Sequence, residues 1–172
     1  DEVLIEGLSV YGVSGAIIDE IEVCLLGLCS TAVLVKSGKA TLVEDKLFGG
    51  EAPVSAGLAS IAEVKIERSR VVGGMGEELT LGVIASDSVV TLSENTIAAG
   101  DGACISHGVF IVSGSNAEIS DNEIAGGDTV EGESALGQLY NSPSGSGGVF
   151  IFNSVALLER NAVEAGESEG YT

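Results

Sequence analysis

The chain carries one histidine, three cysteines and seven basic residues against 26 acids, so the chemistry open to it is narrow. His107 follows Ser106 and leads into the run GVFIV. A nucleophilic triad needs the histidine beside a hydroxyl and an orienting acid. Adjacent strand residues point to opposite faces, and the G-x-S-x-G elbow is absent. His107 therefore reads as an exposed corner residue. Cys24 and Cys29 are five apart, with no second pair and no histidine nearby, which is too few ligands for zinc. A buried thiol at Cys24, next to Val23, and a disulfide both stay open. Cys104, in GDGACIS, sits at a turn-to-strand joint and lacks the glycine spacing of a phosphate loop.

The acids and bases offer more. Asp101 and Asp128 each directly follow a glycine. Two carboxylates within one strand spacing of each other can hold Ca²⁺, a hard cation that takes about 6–8 oxygen ligands. The plain alternative is a pair of solvated turn acids. Lys46 and Arg70, with Lys65 and Arg68 nearby in sequence, can bind an acidic sugar. Bases interleaved with acids read better, however, as a salt-bridged outer face. No paired-carboxylate signature of the kind glycoside hydrolysis requires is present.

Whether any of these groups meet depends on the elements that carry them, and those elements repeat. The segments TAVLVKSGKATLVEDKLFGG (31–50), SAGLASIAEVKIERSRVVGG (55–74), LGVIASDSVVTLSENTIAAG (81–100), HGVFIVSGSNAEISDNEIAGG (107–127) and GGVFIFNSVALLERNAVEAG (147–166) align on Gly50, Gly74, Gly100, Gly127 and Gly166, in steps of 24, 26, 27 and 39 residues. A fainter copy is GAIIDEIEVCLLG (15–27). Each unit alternates with period two, the signature of strands. Small or aliphatic residues fill the columns Ala40, Val64, Val90, Ala117, Ala156; Leu42, Ile66, Leu92, Ile119, Leu158; Leu47, Val71, Ile97, Ile124, Val163; and Val33, Leu58, Val83, Val109, Val149. Glu44, Arg68, Glu94, Asp121 and Arg160 form a charged column between them. A period near 24 suits one coil of three short parallel strands, which buries its apolar face only by stacking on its neighbours. The pattern of a leucine-rich repeat is absent. Asp45, Ser69, Asn95, Asn122 and Asn161 share one position. Asn tolerates a left-handed backbone and bonds locally, and stacked amides bond to one another, so Asn95, Asn122 and Asn161 read as structural.

Segments such as GVFIVSGSNAEISDNEIAGG and GVIASDSVVTLSENTIAAG resemble the parallel β-helix repeats of the pectate-lyase-like superfamily, most closely those of bacterial surface and secreted proteins. The resemblance covers residues 31–170, and 8–30 more loosely. It implies an all-β, right-handed, single-stranded parallel β-helix of about six coils, each of roughly 24–27 residues. Residues 1–172 then form one domain: a poorly matching first coil (1–30), regular coils (31–127), an inserted loop (128–146) and a last coil (147–172). Enzymes, adhesins and tailspikes share such repeats, so the resemblance carries fold and not activity.

The insertion DTVEGESALGQLYNSPSGSG holds Gln138, Tyr140 and Asn141, residue types suited to contact with sugars or peptides. Insertions in repeat proteins cluster on one face, often the binding face. A formal charge of −19 argues against nucleic acid, whose phosphates need Lys and Arg. It argues equally against anionic lipid. No run approaches the roughly 18 apolar residues of a membrane span. The expected function is a non-catalytic scaffold or binding and adhesion module, extracellular or on the cell surface, with a polysaccharide or cell-surface component as partner. A polysaccharide lyase or hydrolase, or its degenerate relative, is the first alternative. The second is a filament subunit that stacks end to end, because open solenoid ends invite strand addition. No cofactor is expected beyond Ca²⁺ at Asp101 and Asp128.

Overall fold

The computed structural model describes residues 2–11, 29–101, 104–130 and 145–167. These residues form 17 strands and no helix. One sheet stacks β1 (Glu2–Glu6), β4 (Lys39–Val43), β7 (Glu63–Glu67), β10 (Val89–Ser93), β13 (Asn116–Ser120) and β16 (Val155–Glu159). A second stacks β2 (Ser9–Tyr11), β5 (Lys46–Phe48), β8 (Arg70–Val72), β11 (Thr96–Ala98), β14 (Glu123–Ala125) and β17 (Ala162–Glu164). The third stacks β3 (Cys29–Val35), β6 (Val54–Ser60), β9 (Leu79–Ser86), β12 (Ile105–Val112) and β15 (Gly145–Ile151). Every pairing is parallel, and each of the five units from β3 to β17 gives one strand to each sheet, with β1 and β2 stacked ahead of them on the first two. This architecture is consistent with a parallel β-helix.

The alternating columns become the core where the three sheets face each other. Leu42, Ile66, Leu92 and Ile119 stack in register, as do Leu47, Val71, Ile97 and Ile124. All are sealed from solvent, in one cluster with Leu58, Val83 and Val109. Burial of a side chain this size stabilises by roughly 1.5–3 kcal/mol. A coil alone has nothing to bury against, so that gain arises only on stacking.

Bends within a stack leave backbone groups buried, and buried polar groups must be bonded. Polar columns meet that demand at every corner. Between the first and second sheets, Ser69 N–H donates to Asn95 Oδ1 (2.8 Å), Asn95 N–H to Asn122 Oδ1 (2.9 Å) and Asn122 N–H to Asn161 Oδ1 (2.9 Å). The amide Nδ2 atoms of Asn95, Asn122 and Asn161 donate back one coil, to the carbonyls of Ile66, Leu92 and Ile119 (2.9, 2.9 and 2.7 Å). At the glycine corner, a Cβ on Gly74, Gly100, Gly127 or Gly166 would collide with the carbonyl of the glycine one coil before. The corner amides are bonded by inward hydroxyls: Gly74 N–H to Ser55 Oγ, Gly127 N–H to Ser106 Oγ and Gly166 N–H to Ser146 Oγ. At the third bend Ser88 N–H donates to Ser115 Oγ and Ser115 N–H to Ser154 Oγ.

The left-handed residue at the first bend is not the Asn but its predecessor. Glu44, Arg68, Glu94, Asp121 and Arg160 all have φ between 47° and 58°. The position faces solvent, so a charged side chain fits there. The Asn is held by its amide bonds instead.

The third sheet departs from simple alternation. Its pairing runs through Ala56↔Leu81 and resumes at Leu58↔Val83, passing over Gly57 and Gly82. The inward face changes parity there: Thr80 points to the Gly100 carbonyl, whereas Val83 and Ala85 enter the shared core. On its other face Cys29, Val54, Leu79 and Ile105 stack beside Ala59, Ile84 and Phe110 as a second buried apolar cluster. This sheet is apolar on both faces, which the continuous runs LTLGVIAS and ISHGVFIV express directly.

Asp45 heads the Asn column with a carboxylate. Its Oδ1 accepts from Leu8 N–H at 2.8 Å, but its Oδ2 is buried without a hydrogen-bond partner. By register, an amide there would donate to the Ile5 carbonyl. Asp45→Asn is therefore expected to raise stability by about 1 kcal/mol. Asn122→Ala, which removes the acceptor of the Asn95 backbone amide and the donor to the Leu92 carbonyl, should cost about 2–4 kcal/mol. Chemical denaturation of both variants checks the pair of signs, and a destabilised Asp45→Asn contradicts the ladder.

Candidate functional site

Asp101 and Asp128 lie on neighbouring coils at the exposed side of the glycine corner. Asp128 N–H donates to Asp101 Oδ1 (3.1 Å), and Glu167 N–H donates to Asp128 Oδ1 (2.8 Å). Each carboxylate thus caps the backbone of the next coil. Among the described residues no group of three His, Cys, Asp or Glu side chains is placed to hold a metal ion. Gln138, Tyr140 and Asn141 lie outside the described residues, as does Cys24. Cys29 is disulfide-bonded and buried. Cys104 is a buried free thiol whose pKa burial raises, with the Glu78 carboxylate adding to the effect.

His107 is not an exposed corner residue. It stands within β12 on the outer face of the third sheet and is buried. Its ring stacks on Phe110 (5.7 Å between centroids) and Phe150 (5.3 Å), which stack on each other at 4.7 Å. Its Nδ1–H donates to the Gly147 carbonyl at 3.3 Å. Its in-register partner is Gly147, where a Cβ would lie 2.6 Å from Nδ1, so the ring occupies the place of the missing side chain. Burial lowers the His107 pKa, and the bond to Gly147 opposes this only in part. The ring is a neutral packing element.

The basic residues divide sharply. Lys39 pairs with Glu63 (2.7 Å), Lys65 with Glu67 (2.7 Å), Arg68 with Glu44 (3.3 Å) and Arg160 with Asp121 (2.7 Å). These pairs hold Glu67 and Asp121 below the ordinary carboxylate range, through hydrogen bonds from Lys65 and Arg160 respectively. They are exposed, and such pairs add little stability. Lys46 and Arg70 have no carboxylate partner among the described residues, which corrects the reading of that column as salt-bridged. They are in register on the outer face of the second sheet. Beside them Tyr11 and Phe48 stack at 5.1 Å, and the Arg70 guanidinium lies over Phe48 at 5.9 Å. The signal for this patch was present in the sequence. Lys46 and Arg70 hold equivalent positions, as do Phe48 and Val72 two residues on, but only the register shows what they face.

Because folding keeps His107 neutral, the unfolded chain binds its proton more readily. The stability this provides is present above the unfolded value of about 6.5 and is lost as pH falls from there toward the lower folded value. The slope within that window is at most about 1.4 kcal/mol per pH unit. Thermal melts of the native chain should drop between neutral pH and pH 5, and His107→Phe should flatten that drop. Equal pH dependence in both would remove His107 from the account.

No protein-family model, no curated protein and no solved structure matches the chain.

Proposed function

We propose that the chain is a non-catalytic structural repeat module: a single right-handed parallel β-helix that serves as a rigid scaffold outside the cell or on its surface. The handedness follows the rule for parallel strands joined by crossovers. The compartment is supported by the disulfide at Cys29, since disulfides persist in oxidising surroundings. The polysaccharide-facing role of the 128–147 loop is a reading of its residue types.

The observation that carries the scaffold reading is the state of the columns at the two ends of the stack. Columns sealed in the middle coils surface at the last coil, where Leu158 and Val163 are 40% and 48% exposed, and at the first, where Val3 is 53% exposed. Outward Leu4 and Leu157 stand in one column whose middle members are Thr41, Lys65, Thr91 and Glu118. Apolar residues appear in that column only at the edges, and both are more than half exposed. An unpaired, apolar strand edge is a template for another strand. The exposed apolar edges support a stack that is extended coil upon coil, by further coils of the same chain or by another copy.

Addition of further copies is the direct test. In sedimentation velocity the native chain should form larger species with rising concentration, more so in salt, which screens the repulsion of a −19 chain. Leu157→Lys should block growth while leaving the melting temperature unchanged, because the residue is already exposed. A native chain that stays monomeric at every concentration and salt level would falsify extension through the ends.

A further inference from the structure

The outer face of the second sheet is self-complementary. Two columns point outward. One reads Ser9, Lys46, Arg70, Thr96, Glu123, Ala162, and the other reads Tyr11, Phe48, Val72, Ala98, Ala125, Glu164. Along the first, charge runs from positive to negative. Along the second, size falls from Tyr11 and Phe48 through Val72 to Ala98 and Ala125, and the column ends on the acid Glu164. Lys46 and Glu123 are both exposed, and neither has an ion-pair partner among the described residues.

We propose that this face binds the same face of a second copy, flank to flank, about a two-fold axis that runs parallel to the strands between β8 and β11. Such an axis reverses the stacking direction and keeps the strand direction. β5 of one copy then lies on β14 of the other, β8 on β11, and β2 on β17. Lys46 meets Glu123 twice, once in each direction. Phe48 lies on Ala125 and Val72 on Ala98, so each large residue meets a small one. Tyr11 brings its hydroxyl to Glu164. An isologous contact of this kind is the usual way soluble proteins form dimers.

The distribution of charge favours this occupant over an unrelated polymer. Residues 29–75 hold six bases and five acids, whereas residues 76–172 hold one base and fifteen acids. The chain's own C-terminal coils are the acidic surface that fits its basic band, and only an antiparallel pairing joins the two. The face is small. Six strands of three residues cover on the order of 300 Å² per copy, below the roughly 800 Å² per partner of a standard interface. The pairing is therefore weak, reversible and dependent on charge.

Sedimentation equilibrium from micromolar to millimolar protein, in Leu157→Lys chains so that end addition is silent, tests it. The parent should enter a monomer–dimer equilibrium. Lys46→Glu and Glu123→Lys, each alone, place like charges at both contacts and should weaken dimerisation at least about tenfold. In an equimolar mixture of the two variants, one contact joins the two introduced side chains, which are again of opposite charge, and the other joins the native pair. The mixture should recover dimers with an affinity within about threefold of the parent. Failure of the mixture to recover, or a parent monomeric at millimolar concentration, overturns the proposal. Dimerisation that ignores both substitutions overturns it as well. Lys39→Glu, which breaks an ion pair on the first sheet, serves as control and should leave the equilibrium unchanged.

Discussion

A stack of parallel strands in register repeats each position about every 4.8 Å, so each side chain must tolerate its own equivalent above and below. That constraint governs the rest of the structure. Inside, it selects Leu, Ile and Val, which pack on themselves, as at Leu42, Ile66, Leu92 and Ile119. At the bends it is harsher, because backbone groups there are buried and lie opposite identical groups. A carboxamide meets both needs, since its oxygen takes an N–H from the coil before while its nitrogen gives to a carbonyl of that same coil. Asn95 and Asn122 each do both. Ser and Asp do it by halves, and Asp45 shows the cost, with one oxygen buried and unbonded.

The same constraint explains why the third sheet carries a second cluster. Its strands are seven or eight residues long, against three or five in the other two sheets. A long flat strand set presents a broad outer face, and here that face is apolar from Cys29 to Phe110. His107 belongs to this face, and its neutrality follows from the company it keeps. A charged imidazolium stacked on Phe110 and Phe150 would be stripped of water.

Much of this was legible in the chain. The period-two columns and the glycine corners placed the inward residues without any geometry, because an in-register stack turns sequence spacing directly into spatial adjacency. The failures have physical causes. His107 was assigned by residue type, and type yields to context in a strand whose two faces are both apolar. At the bend between the first and second sheets the left-handed residues are Glu, Arg and Asp rather than the Asn that follows, because the turn geometry sets φ and solvent exposure sets the side chain. Lys46 and Arg70 read in the sequence as part of an alternating charged surface. Ion pairing, however, depends on which residues lie opposite, and those opposite Lys46 are Ser9 and Arg70 rather than acids.

Charge is what an architecture of this kind has left to adjust. The edges of a parallel stack cannot be closed by pairing without adding a coil, and the core columns cannot become polar without losing the stack. Association between copies must therefore be governed from the outside, by the sign and placement of exposed side chains. The chain concentrates its acids in the coils beyond residue 75 and its bases in the band before it. Parallel approach of two copies then sets acid against acid, and antiparallel approach sets acid against base. The net charge keeps chains apart at a distance, where only the total is felt. The pattern decides orientation at contact, within a Debye length of roughly 8–10 Å. A strongly acidic surface and a specific self-contact are thus compatible, because they act at different separations.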